Sequence, residues 1–390
     1  MTTVAPVRPR RTPPAPPRRP PSPLRPRDFR LKDAALLGAC ALSSLCLVWV
    51  VFYQLTLLTG AFGFLVCWYI CFLAMYWVTI ASSLERMAAN DRVATVVVVT
   101  GAAVVLGLLV FVVVWVCYKA IPHLHWQLLT KTEKGFQILG PHPLSNVGVA
   151  HAIVGTLEEV GLAALMGVPV AIATAVFLNE VKGRGTRLVR TVVTAMSGTP
   201  SVLAGVFIYS VLIINHVLGY SGFAAALALF VLLLPWVART TEEVLRLVPS
   251  GLREASLALG TSEWRTVWSV VLPTARSGLI TAALLGTAIA MGETAPLLFT
   301  SFGSQYMNAN PFSGPQEGLG LMVLDNIRTP QPVLITLAYE AAFVLLVLVL
   351  VLFVAARILG RTRSRRGRRG SGELLTPLLA PALRSRNGDR

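Results

Sequence analysis

Arg239 stands at the end of one long apolar run, and Glu293 stands inside another. A guanidinium is a planar fork of donors that matches two oxygens of an oxyanion. A basic residue in that position is equally an ordinary anchor at a membrane face. A carboxylate at mid-helix in hydrocarbon costs about 2.5–3.5 kcal/mol on insertion scales. Glu293, about 17 residues into its run, therefore has to face protein or a water-filled route. A negative charge does not bind an anion, which leaves positioning a cation, gating, or a structural pairing. Thr294 adjoins it, between Gly292 and the helix-breaking Pro296. Pro200 and Ser201, in an earlier run, offer a kink and a hydroxyl donor, or simply a proline-kinked packing element.

A second group is marked by spacing. Residues 251–273, GLREASLALGTSEWRTVWSVVLP, are polar and helix-forming yet lie between two apolar runs. Ser250 or Gly251 can cap a first helix after Pro249, with Glu254 in its first turn, where a negative charge complements the dipole. Leu252, Ala255, Ala258 and Leu259 give it a narrow stripe, and Ser256 lies beside it. Gly260 suits the left-handed residue that ends such a helix. Thr261-Ser262-Glu263 restarts a second helix through Trp264, Val267, Trp268, Val271 and Leu272, and Pro273 ends it and begins the next span. A helix pair held between two spans has no lipid to face, so it needs a protein partner. The alternative is an amphipathic pair lying flat on the bilayer.

The elements that must position these residues are membrane spans. The 390 residues are 55% hydrophobic and 13% charged, with positive mean hydropathy, a balance that excludes a soluble domain. A span needs about 20 mostly apolar residues. Eight runs qualify: 34–57, 60–81, 93–118, 152–178, 191–215, 222–238, 276–299 and 332–357. The first is too long and too far from the terminus for a cleaved signal peptide. With both termini in the cytoplasm, 30 of the 34 Lys and Arg fall on the inside, and only Lys119, Lys131, Lys134 and Arg328 fall outside. That asymmetry accounts for the net charge of +16 without nucleic acid. The reading is a Pro/Arg-rich arm (1–32), a two-helix hairpin (33–92), a six-span core (93–358) and a basic tail (359–390), with the hairpin and core separated by the 81–92 loop. Cys40, Cys46, Cys67, Cys71 and Cys117 all lie in apolar runs and read as small buried hydrophobes, with no metal. Long outer segments at 119–150, with His123, His125, Trp126 and His142, and at 300–331 suit the interface or a docking partner.

Several segments together resemble one family. They are Glu254-Ala255-Ser256 with Gly260 and the following Leu272-Pro273, Arg239-Thr240-Thr241-Glu242, Gly292 through Thr300 (GETAPLLFT), and Gly198-Thr199-Pro200-Ser201-Val202. The first spacing resembles the EAA loop of ATP-binding-cassette (ABC) importer permeases, and the RTTE and GETAPLLFT segments resemble the phosphate-specific, PstA-type branch, over about 150–357. The resemblance implies an all-α polytopic membrane protein with about eight transmembrane helices: a six-helix type I ABC importer permease core with a two-helix N-terminal extension. It implies a subunit in the bacterial cytoplasmic membrane that moves inorganic phosphate inward. Arg239, Glu293, Thr294, Pro200 and Ser201 would lie on the substrate route, and Glu254, Ala255, Ser256, Gly260, Leu272 and Pro273 would dock the ATPase. Implied partners are a PstC-like second permease, two PstB-like ATP-binding subunits and a PstS-like extracytoplasmic phosphate-binding protein, besides membrane lipid. No Gly-x-x-x-x-Gly-Lys loop occurs, so no cofactor is expected on this chain and ATP is used by the partner.

Two departures stand out. The family places an arginine four residues before the Glu293 position, and this chain has Ile289. Arg239 or the partner permease then supplies the charge, or the anion differs, or transport is lost. Glu158 and Glu159 enter the fourth run about 10 Å deep, at about 1.5 Å per residue, where the family is mostly apolar. They read as interface residues or as gates. The remaining alternatives are a permease for sulfate, molybdate or tungstate, a non-transporting scaffold or sensor, and a proton-coupled carrier.

Overall fold

The computed structural model describes residues 31–55, 60–83, 86–134, 147–181 and 183–361. The Pro/Arg arm before Leu31, His142 and the basic tail after Arg361 lie outside the described residues. Thirteen α-helices are described: α1 (Leu31–Val50), α2 (Ala61–Ser83), α3 (Arg86–Ala120), α4 (Ala150–Glu180), α5 (Arg184–Ser197), α6 (Ser201–Ile208), α7 (Gly222–Arg246), α8 (Ser250–Ala258), α9 (Glu263–Thr266), α10 (Leu272–Met291), α11 (Ala295–Thr300), α12 (Leu319–Ile327) and α13 (Pro332–Arg361). Apart from a single bridge between Phe302 and Gln316, no β pairing occurs among the described residues. Seven helices are long and apolar enough to cross a bilayer, or eight if the bent pair α5–α6 is one span.

The chain divides into two compact units inside α3, between Leu109 and Val110. In the first, Cys40, Phe72, Tyr76, Ile80 and Ala89 form the core. Arg92 pairs with Asp33 at 2.9 Å, and the Trp68 indole donates to the Ala41 carbonyl at 3.1 Å. Of the five cysteines only Cys40 is buried. Cys46 and Cys67 are exposed and Cys71 and Cys117 are half-buried, so the expectation of five buried thiols is corrected. Within the expected 81–92 loop the described residues are helical, α2 running to Ser83 and α3 beginning at Arg86.

In the second unit α7 is the central helix. Ser221 caps it, accepting from the Ala224 amide at 3.3 Å. Ala224, Ala225, Ala226 and Ala228 are fully buried, and such small side chains let neighbouring helices approach closely. Gly167 of α4 lies beneath Leu233, and Gly286 and Gly278 of α10 lie against Val237 and Val244.

Two expected spans are broken. The run at 191–215 is α5 followed by α6 at 103°. The turn is Gly198-Thr199-Pro200: Pro200 has no amide to donate, and its ring keeps Thr199 out of the helical region. The run at 276–299 ends at Met291. Gly292–Thr294 are non-helical and α11 starts anew, with Pro296 in its first turn. Glu293 therefore sits in a helix break rather than at mid-helix.

Candidate functional site: a polar cavity and the helix pair linked to it

The break after α10 and the bend before α6 face one cavity of about 220 Å³. Its lining includes Ser197, Thr199, Ser201, Trp236, Ile289 and Glu293. Ser197 and Thr199 donate their hydroxyls back to their own helix, to the Val193 carbonyl at 2.9 Å and the Ala195 carbonyl at 3.3 Å. The Ser201 hydroxyl makes no hydrogen bond among the described residues, so its donor is available. Ile289 is one turn before Glu293 on the same wall. No arginine or lysine is among the lining residues.

Arg239 lies three residues beyond Trp236 on α7, about 60° around the helix at 100° per residue. It is exposed and makes no ion pair among the described residues. Its neighbours in the motif do different work. Thr240 bonds back to the Trp236 carbonyl at 2.9 Å. Glu242 receives Arg190 of α5 at 2.7 Å and Arg246 at 2.5 Å. Pro200, just before α6, and Thr294, whose methyl lies over Gly320, sit beside the cavity rather than in its wall.

The helix pair is built nearly as its spacing predicts, with one correction. Pro249, not Ser250 or Gly251, occupies the cap position of α8, and it has no hydroxyl to offer. Glu254 consequently falls in the second turn, exposed like Ala255. Gly260 has φ +79, and its amide donates to the Leu257 carbonyl at 2.9 Å. Ser256 is joined to Thr261 and Thr266 at 2.8 and 2.9 Å, which locks α8 to α9. Ser262 caps α9. Residues 263–291 then run as one helix of 29 residues, widened to a π turn at Val267–Val271. The widening has a cause: Pro273 cannot donate to the Ser269 carbonyl, and its ring would crowd it. Leu272 lines a second, apolar cavity of about 670 Å³ with Trp264, Trp268 and Phe177. Leu247, Leu252, Leu257 and Leu259 are exposed on this polar segment, an apolar surface of the kind a partner covers.

Residues 167–365 match the family described as binding-protein-dependent transport system inner membrane component. The chain belongs to this family.

Among its relatives, the phosphate transport system permease protein PstA 1 of Mycobacterium tuberculosis is 39% identical over 222 residues, covering 57% of this chain and 72% of the relative. PstA of Xylella fastidiosa is 37% identical over 243 residues, 62% of this chain and 82% of the relative. A solved structure of the MetNI methionine ABC transporter, in an inward-facing conformation, aligns with a TM-score of 0.43 at 22% identity, over 55% of this chain and 93% of that one.

At the far end of this permease, residues 301–318 are packed against α4 and α7 rather than standing free. Thr156 accepts from the Leu319 amide at 2.7 Å. The Phe223 amide donates to the Pro311 carbonyl at 2.6 Å, and Gln316 Nε2 donates to Glu158. The Glu317 carbonyl presses on Gly155, where no side chain would fit. Glu159 is fully buried in this contact, which corrects its reading as an interface residue. Glu317 accepts from the Ser304 amide at 2.7 Å, yet burial pushes its carboxyl up to about 8. Burial also raises Glu133 and Asp325 beside it.

Sequence reasoning missed Ser197, Thr199 and Trp236 as cavity residues, and Arg190 with Glu242 as a brace between α5 and α7. The pair is 52 positions apart, and no local pattern couples them. For the hydroxyls a usable signal existed, since Gly198 and Pro200 announce a bend whose flanking residues turn inward.

Proposed function

We propose that this chain is the membrane-spanning subunit of an ATP-driven importer of inorganic phosphate, seated in a bacterial cytoplasmic membrane with both termini in the cytoplasm. Its partners are a second, PstC-like permease, two PstB-like ATP-binding subunits and a PstS-like extracytoplasmic binding protein. ATP is consumed by the ATP-binding subunits. The observation that carries this reading is mechanical. The exposed polar segment and the cavity wall are opposite ends of the same 29-residue helix, Glu263–Met291, about 43 Å long at 1.5 Å per residue. A displacement imposed on α8 and α9 by a closing ATPase dimer is thereby delivered to Ile289 and Glu293. The PstA names of its relatives support phosphate as the cargo.

A hydrated anion needs donors and positive charge along its route. Ser201 offers a donor, Arg239 offers charge at the route's cytoplasmic end, and the partner permease supplies the rest. Phosphate uptake in a transporter-null strain tests this. Native chain restores uptake, and Arg239→Gln abolishes it. Unchanged uptake with Arg239→Gln removes Arg239 from the route. A second reading, a permease for another oxyanion, is favoured by Ile289 in the wall where the family has a cation. Competition of labelled phosphate by sulfate, molybdate and tungstate decides between the two. A native chain that binds the ATPase and supports no oxyanion uptake is instead a scaffold.

A further inference from the structure

At the end of the core that carries α8, the ends of α4 and α7 and the start of α5 enclose a cavity of about 570 Å³, lined by Asn179, Thr186, Arg187, Arg190 and Arg246 among others. We infer that this cavity holds the phosphodiester headgroup of an anionic phospholipid. The inference is independent of the transported substrate.

Its charge is unbalanced. Arg190 and Arg246 share a single oxygen of Glu242, and Arg187 has no ion pair among the described residues. The nearby Glu180 is already paired with Arg253 at 3.1 Å. Three guanidinium groups thus face one carboxylate, leaving a surplus of two positive charges. Roughly half of the Arg190 and Arg246 side chains is exposed, at 49% and 57%. Each guanidinium has five donors, so several remain for phosphate oxygens in bidentate geometry.

The position is that of a bilayer surface. α4 and α7 are both candidate spans, and the cavity lies at their ends. α5 turns 103° from α6, so where α6 runs across the bilayer α5 lies near its plane. Around α5, three faces separate. Val193 is buried with Val189 packed beside it. Arg184, Arg187 and Arg190 form a basic flank, and Leu188 and Val192, exposed at 67% and 49%, form an apolar one. The two flanks are about 120° apart at 100° per residue. A helix with one flank for acyl chains and one for headgroups lies in the interface, and basic pockets between spans suit anionic headgroups. Free inorganic phosphate accounts for the arginines but not for the exposed Leu188 and Val192, so a lipid is the occupant.

Native mass spectrometry of the full chain, with phosphatidylglycerol or phosphatidylcholine added, tests this. Phosphatidylglycerol should be retained in preference to phosphatidylcholine. Arg187→Gln should lower that retention about fivefold, the effect of one basic residue at an anionic surface. Arg187→Lys, which keeps the charge, and Arg265→Gln, a cytoplasmic arginine outside the cavity, should retain it. Thermal unfolding of each variant confirms that the fold is kept. Equal retention by native and Arg187→Gln chains overturns the proposal. So does displacement of the lipid by inorganic phosphate, which would make free phosphate the occupant. In the assembled transporter, loss of the ATPase subunit from Arg187→Gln with lipid retention unchanged would make the cavity a protein interface and also overturn it.

Discussion

Glu293 and Ile289 show how much one residue's surroundings decide. A carboxylate in an apolar run is costly, and the fold meets that cost by ending α10 at Met291 and opening a polar cavity beside the break. Ile289 occupies the same wall one turn earlier. Ile289→Arg would set a guanidinium next to both Glu293 and Ser201, so it should lower the KM for phosphate uptake. A KM equal to or above that of the native chain would show that the missing charge comes from elsewhere. Gly205 is a separate case. A methyl added there meets the Pro296 backbone, with its Cα at 2.6 Å, and backbone cannot swing away as a side chain can. Gly205→Ala should cost about 1–3 kcal/mol, read as a lowered unfolding midpoint of the detergent-solubilised chain.

Among the elements, the α8–α9 pair matters most because it joins rigidly to α10. Two features hold it: the hydroxyl cluster of Ser256, Thr261 and Thr266, and Gly260 at φ +79. Space around Gly260 is open, so any penalty for a larger residue is conformational and not steric. Gly260→Val forces a β-branched residue into the left-handed region, at about 1–3 kcal/mol. It should uncouple the reconstituted transporter, leaving the partner's basal ATP hydrolysis but losing its stimulation by loaded binding protein. Full stimulation in Gly260→Val would show that α8 and α9 do not need this turn. The expected helix pair was right in outline because turn-forming residues act locally. The sequence assigns the cap to Ser250 or Gly251 because such residues are the preferred caps, and only the backbone path places Pro249 there instead.

At the scale of the molecule, the packing of 301–318 against α4 carries a pH dependence. Glu317 rises from an ordinary 4.5 to about 8 on burial, and Glu133 and Asp325 shift the same way. A carboxyl with a raised folded value binds its proton more tightly when folded. Its contribution is complete below about pH 4.5 and is lost as pH rises through about 8. The unfolding midpoint should therefore fall between pH 6 and pH 9, with faster amide exchange in 301–318. Glu317→Gln should flatten that fall. An unchanged slope would assign the titration elsewhere.

The sequence by itself determined that the chain crosses a membrane, roughly how often, and which polar segment leaves it for a partner. Hydropathy over 20 residues, basic residues between runs and turn residues at fixed spacing all act over short stretches of chain. What only the tertiary structure decided was how residues from distant elements meet. Ser197, Trp236 and Glu293 share a cavity wall, Arg190 and Arg246 share Glu242, and Glu159 disappears under 316–318. Each of these depends on which helix faces close against which. That is settled by small residues such as Gly155, Gly205 and Gly286 permitting contact, and no periodicity along a single helix encodes it.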